Sequence, residues 1–184
     1  MNKPIFIVLE GLNGSGKTTL ATILAERLGA IYTTTPAALF KSARSLIDSD
    51  ADAVARFLFY LAGTYQSSVE ISGMLDAGKS VVCDRYYYTT ICSGQAMGLN
   101  VELPSFLDFL QPDFAFLVTC DQKVRLGRMP ARGISINDAR ERDDIIEERT
   151  MSAFHEFGLV EVDNSADGAE FACERMAKLI GRGE

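Results

Sequence analysis

Gly11-Leu-Asn-Gly-Ser-Gly-Lys17-Thr18 follows a short apolar run and opens a helical pattern. It matches GxxxxGK[ST] in the strand-to-helix context that a phosphate-binding loop requires. Its glycines let successive backbone N–H groups turn inward around an anion. The helix that follows adds the partial positive charge of its N-terminus. Lys17 would reach the β- and γ-phosphates of a nucleoside triphosphate, and the Thr18 hydroxyl would ligate Mg2+. The residues expected to bind the triphosphate are therefore Asn13, Gly14, Ser15, Gly16, Lys17, Thr18 and Thr19. A chain with such a loop is expected to be a small phosphoryl-transfer enzyme with a nucleoside triphosphate as donor and Mg2+ as cofactor.

Asp84-Arg85 closes another apolar run. A carboxylate there can join the Mg2+ shell, directly or through water, or reach a substrate hydroxyl. An arginine beside it can grip a phosphate with two hydrogen bonds. Further along stand Arg125, Arg128, Arg132, Arg140 and Arg142. The stretch Pro130–Asn137 breaks the helical pattern with Pro and Gly, which suits a lid over residues 128–142. Phosphoryl transfer needs positive charge around the equatorial oxygens and exclusion of water. The plainer reading of Arg140 and Arg142 is a solvated helix face paired with glutamates. Phe57-Leu-Phe59-Tyr60 offers a ring for base stacking, or simply core packing.

These residues need a scaffold, and the hydrophobic pattern supplies one. Apolar runs at Ile5–Leu9, Ala30–Thr33, Ser80–Asp84, Phe114–Cys120 and Leu159–Asp163 read as strands. Helical patterns cover Thr18–Leu28, Asp50–Ala77 (capped by Ser49 or Asp50), Gln122–Met129, Asp138–Phe157 and Gly168–Ile180. Strands buried on both faces and alternating with helices define an α/β fold of the P-loop NTPase type. The expectation is a five-stranded parallel sheet with helices on both faces and a lid, in one domain spanning residues 1–184. Ligands then bind beyond the carboxyl ends of the strands, where the motifs above fall.

Composition narrows the class. The chain has 184 residues and a net charge of −7, a poor match to a non-specific nucleic-acid or membrane binder. No apolar stretch reaches the ~18 residues of a spanning helix, and Ile5–Leu9 is too short for a signal core. A cytoplasmic location is expected. Cys83, Cys92, Cys120 and Cys173 form no CxxC pair, and His155 is the lone histidine. Buried free thiols are expected rather than zinc.

In order and spacing, the Lys17 loop, Asp84-Arg85-Tyr86 and the arginine-bearing lid resemble the thymidylate kinase-like nucleoside monophosphate kinases, over roughly residues 5–180. The run Asp84-Arg85-Tyr86-Tyr-Tyr-Thr-Thr looks like the family's DRYxxS segment. The resemblance implies that the triphosphate is ATP, with ATP-dependent transfer to a nucleoside monophosphate and a homodimer through the long helices. It implies Lys17, Asp84, Arg85, Arg128 and Arg132 as catalytic, and Thr18 and Asp84 as metal-binding. Arg44, Phe59, Arg85, Thr89 and Ser93 would hold the acceptor, Phe59 by stacking on its base. Asp163-Asn-Ser-Ala166 looks like the loop beside adenine. Several positions depart from the pattern. Asn13 stands where the family has an acidic residue, and Thr34-Thr35-Pro36 where it has Arg-Glu-Pro. Gly63 replaces the arginine that reads thymine, and Ser93 replaces a ring that crowds the sugar 2′ position. Altered specificity is expected, with an arginine at position 63 raising preference for thymidylate. The Thr35-Pro-Ala-Ala-Leu and Tyr86-Tyr-Tyr features also look like a divergent branch that includes mitochondrial-type UMP/CMP kinases. A kinase with another acceptor, or a non-catalytic nucleotide-binding protein, are the competing readings.

Overall fold

A computed structural model describes residues 3–129, 143–166 and 168–181. Five strands form one parallel sheet: β1 (Phe6–Glu10), β2 (Ile31–Thr34), β3 (Val81–Asp84), β4 (Phe114–Thr119) and β5 (Val160–Asp163), in the order β2-β3-β1-β4-β5. The central strand β1 is buried at all five positions, which explains the apolar run Phe6–Leu9 that precedes its one charge, Glu10. Its residues alternate between two cores. Phe6 and Val8 pack with Leu61, Ile71, Ile91 and Phe154 on one face. Ile7 and Leu9 pack with Leu20, Leu24, Cys173 and Met176 on the other.

The first face is covered by α3 (Ala53–Asp76), α4 (Tyr87–Ala96) and α6 (Asp144–Glu156). The second is covered by α1 (Lys17–Leu28) and α7 (Gly168–Leu179). Two short helices complete the described elements: α2 (Arg44–Asp50), preceded by a 3-10 turn at Ala38–Ala43, and α5 (Gln122–Arg128). The sheet changes direction at β1: β3 and β2 lie to one side, β4 and β5 to the other. In open α/β sheets ligands bind at such a switch point, outside the carboxyl ends of the strands.

Two expectations about helices need correction. The long helix does not begin at Asp50. The chain breaks at Ala51, and Asp52 caps α3 by accepting from the N–H groups of Val54 and Ala55 at 2.8 and 3.0 Å. An Asp at this position satisfies two otherwise orphaned donors, so it outcompetes Ser49 and Asp50 as the start signal. Helix α4 goes unannounced by the pattern, because its first turn is aromatic and β-branched and its cap is not local. Of the helix expected over Asp138–Phe157, the described part is Asp144–Glu156, and the rest lies outside the described residues, as does the lid beyond Met129.

Candidate active site

The residues that follow β1, β3, β4 and β5 converge on the phosphate-binding loop. Gly14 and Gly16 have φ of 84° and 95°, in the left-handed region. Side chains there would also collide, since a Cβ on Gly16 would stand 2.3 Å from Asn164 Nδ2 and one on Gly14 2.8 Å from Arg125 O. Lys17 is buried in the first turn of α1 and donates from Nζ to Leu12 O at 2.6 Å. The Thr18 hydroxyl donates to Asp84 Oδ2 at 2.5 Å. Thr19 lies exposed in the same turn.

Among the described residues, Arg85 is the non-glycine residue with positive φ, 71°. This conformation costs on the order of 1–3 kcal/mol and returns the side chain over the loop. Its Nη1 donates to Gly11 O and to Thr89 Oγ1, both at 3.0 Å, and its Nη2 donates to Asn13 Oδ1. Asn13 thus offers Arg85 a neutral acceptor within the loop.

Behind Arg85 stands Glu10, a residue the sequence reading passed over. It is fully buried, and Oε1 accepts from the backbone N–H of Tyr86 at 2.8 Å and of Thr89 at 3.3 Å, while Oε2 accepts from the Thr89 hydroxyl. Glu10 therefore caps α4 from another strand and fixes the hydroxyl that orients Arg85. Burial pushes its carboxyl up to about 7, against the opposing pull of the Thr89 hydroxyl, the Arg85 charge and the backbone donors. The available signal was a single charge ending an otherwise apolar strand.

Arg128 donates from Nη2 to Asn164 O at 3.0 Å and from Nη1 to Cys120 Sγ at 3.4 Å, on the side of the loop following β5. Arg132, Arg140 and Arg142 lie outside the described residues. Arg44 is half-exposed on α2, 3.6 Å from Asp48 Oδ2, and its Nε donates to Tyr60 Oη at 3.1 Å. These contacts join Arg44 to the α3 aromatics rather than to the Arg85 network. Phe59 is half-buried, edge-on to Phe40 and Tyr60 at centroid distances of 5.6 and 5.5 Å. Phe57 instead packs into the core against Gly94, which gives the two neighbouring rings different duties. Ser93 is half-buried on α4, one turn beyond Thr89.

Position 63 corrects an expectation. Gly63 is buried, its carbonyl accepts from Ala37 N at 3.1 Å, and a Cβ there would lie 2.5 Å from Pro36 Cβ and 3.1 Å from Phe40 Cγ. The segment after β2 has closed over the glycine. An arginine at 63 has no room unless that segment moves.

Cys83, Cys92 and Cys173 are buried and Cys120 half-buried, all as free thiols. Among the described residues no cluster of three or more His, Cys, Asp or Glu could hold a metal, and no helix is long and apolar enough to cross a membrane.

A five-stranded parallel sheet with a GxxxxGK[ST] loop at its switch point is the fold of a P-loop NTPase, here one that brings an arginine and a carboxylate against that loop. The thymidylate kinase family model matches residues 9–163, and the chain belongs to that family of ATP-dependent nucleoside monophosphate kinases. The thymidylate kinase of Halothermothrix orenii is 33% identical over 168 residues, covering 82% of this chain and 78% of that protein. A probable thymidylate kinase of Methanococcus vannielii is 35% identical over 137 residues, covering 72% and 68%. The solved thymidylate kinase of Ehrlichia chaffeensis shares the fold, with a TM-score of 0.78 at 22% identity over 97% of this chain and 100% of that one.

Proposed function

We propose that this kinase moves the γ-phosphoryl of ATP onto the phosphate of a nucleoside monophosphate whose base it reads loosely. The observation that carries this reading is the bond network of Arg85. The acceptor arginine touches the donor loop at Gly11 and Asn13, so an anion gripped by Arg85 would meet the end of the triphosphate. Catalysis is then positioning and charge neutralisation. Lys17 neutralises the transferring phosphate, with Arg128 and Arg132 as further cations. Arg44 and Arg85 hold the acceptor phosphate, Phe59 stacks on its base, and Thr89 and Ser93 line the approach. The acceptor oxygen is already anionic near neutral pH, so no side chain need remove a proton.

Thr18 and Asp84 fit Mg2+. Both offer hard oxygens, they stand 2.5 Å apart at the loop, and Mg2+ takes its remaining ligands from phosphates and water. When bound, the ion would offset the charge of the phosphate oxygens. The same bond keeps Asp84 on the metal side, which argues against its use as base toward a hydroxyl acceptor.

Loose base reading is supported by Gly63, because the side chain that would hydrogen-bond a thymine edge is missing and Phe40 fills the space. A site without the reading group loses discrimination. We also propose one domain, a cytoplasmic location and a homodimer through α3. Val54, Leu58 and Val69 are each more than half exposed along one stripe of that helix, which a second copy would cover. Light scattering at micromolar concentration tests the dimer, and a monomer would refute it. Competition among ribo- and deoxyribonucleoside monophosphates at equal concentration tests the specificity. Comparable rates for several bases support the proposal, and exclusive use of thymidylate refutes it.

A further inference from the structure

Three side chains from three elements hold alternate carbonyls of the phosphate loop. Arg85 Nη1 donates to Gly11 O at 3.0 Å, Arg125 Nη1 to Asn13 O at 3.0 Å, and Asn164 Nδ2 to Ser15 O at 2.8 Å. In a planar trans peptide the C=O and the next N–H point in opposite directions. Each bond therefore turns one N–H, that of Leu12, Gly14 or Gly16, away from the side chain that holds its carbonyl. The intervening Leu12 carbonyl faces the other way and accepts from Lys17 Nζ at 2.6 Å. Alternate N–H groups thus point away from the three side chains that hold their carbonyls. With positive φ at Gly14 and Gly16, this is the geometry of an anion nest.

Arg85 has further partners in Thr89 and Asn13 Oδ1, and Asn164 is a short, neutral side chain whose burial costs little beside that of a charge. Arg125 differs from both. It lies on α5, its side chain is 1% exposed, and its remaining charged contact is an ion pair with Glu147 of α6. Its Nε has no hydrogen-bond partner among the described residues. A buried ion pair contributes little net stability, and an unsatisfied buried donor costs some. What the guanidinium does achieve is to hold the Asn13 carbonyl and to bring a positive charge against the loop. The backbone and Cγ of Arg125 also stand within 3 Å of where a Cβ on Gly14 would be, so α5 packs directly on the loop.

We propose that Arg125 is a positioning residue for the ATP phosphates: it holds the Asn13–Gly14 peptide so that the Gly14 N–H faces them, while Glu147 fixes the guanidinium. The proposal rests on the phosphate-loop reading above. It gives the arginine a duty toward the donor and none toward the acceptor.

Isothermal calorimetry with ATP and Mg2+, and steady-state kinetics, test it on the full chain. Arg125→Met is expected to weaken ATP binding by ~10- to 100-fold, the range for losing a charged hydrogen bond. The KM for ATP should rise while the KM for the acceptor holds, and Arg125→Lys, which keeps the charge without the fork, should fall between. If Arg125→Met fails to fold because Glu147 is left unpaired, Arg125→Met/Glu147→Leu removes that charge and decides the matter. ATP affinity equal to wild type in whichever of these variants folds overturns the proposal. A fall in kcat with both KM values unchanged also overturns it, because general loosening would then suffice. Wild-type protein that binds no ATP overturns the loop reading itself and the proposal with it.

Discussion

Glu10→Gln probes how Arg85, the proposed acceptor arginine, is held. Glu10 is fully buried, and burial pushes its carboxyl from an ordinary 4.5 up to about 7. Between those values the folded chain binds more protons than the unfolded one, so stability falls as pH rises through that window. At ~1.4 kcal/mol per pH unit the loss approaches about 3 kcal/mol by pH ~8. Glutamine stays neutral throughout, so the variant should lack this slope. The other titratable groups that face Glu10 are Cys83, Cys92 and Tyr88, which burial pushes up and keeps neutral in this range, and Arg85 is the facing cation. Activity should move the opposite way. The ionised carboxylate accepts the Thr89 hydroxyl, leaving Thr89 Oγ1 to accept from Arg85. The Gln amide would turn a donor toward that oxygen instead. Acceptor kcat/KM should fall ~10-fold at pH ~8, consistent with losing one charged hydrogen bond. Wild type should also lose acceptor kcat/KM below pH ~7, beyond the loss from the acceptor phosphate itself, which titrates near ~6. Urea unfolding and steady-state rates from pH ~5 to ~8 read both effects. Parallel stability profiles for wild type and variant, or superimposable rate profiles, would refute the reasoning.

Other perturbations follow from the same geometry. Lys17→Ala should abolish turnover while leaving the circular dichroism spectrum unchanged, and near-normal rates would remove Lys17 from the reaction. Asp84→Asn should raise the Mg2+ concentration for half-maximal rate by ~10-fold or more, as expected on weakening one ligand of a metal site. Gly63→Arg alone should lower the melting temperature by several degrees through overpacking of ~1–3 kcal/mol against Pro36 and Phe40, without a gain for thymidylate. Paired with Phe40→Ala it should gain that preference, measured as relative kcat/KM. Asp52→Ala should cost ~1 kcal/mol in urea unfolding by uncapping α3.

The parts legible in the sequence were those that local rules control. Continuous apolar runs announced β1, β3 and β4, because strands covered on both faces tolerate few polar residues, and shorter mixed runs marked the more exposed edge strands β2 and β5. The loop was legible because its glycines, lysine and threonine are contiguous, and Asp84-Arg85 because it ends a strand. Helix α4 was not, since its cap comes from Glu10, 77 positions before Tyr87. Arg125 could be listed among nearby arginines, but its duty depends on the sheet order that sets α5 beside the loop. Gly63 was legible as a missing arginine and misleading as an open space. Only the packing of Pro36 and Phe40 shows that the fold has closed over it.

The central claim is transfer to a monophosphate. It is tested most directly by coupled ADP release with ATP and Mg2+ across ribo- and deoxyribonucleoside monophosphates, with the matching nucleosides as controls. Turnover with monophosphates and none with nucleosides is the expected result. Turnover confined to nucleosides, or none with any acceptor despite measurable ATP binding, would contradict it.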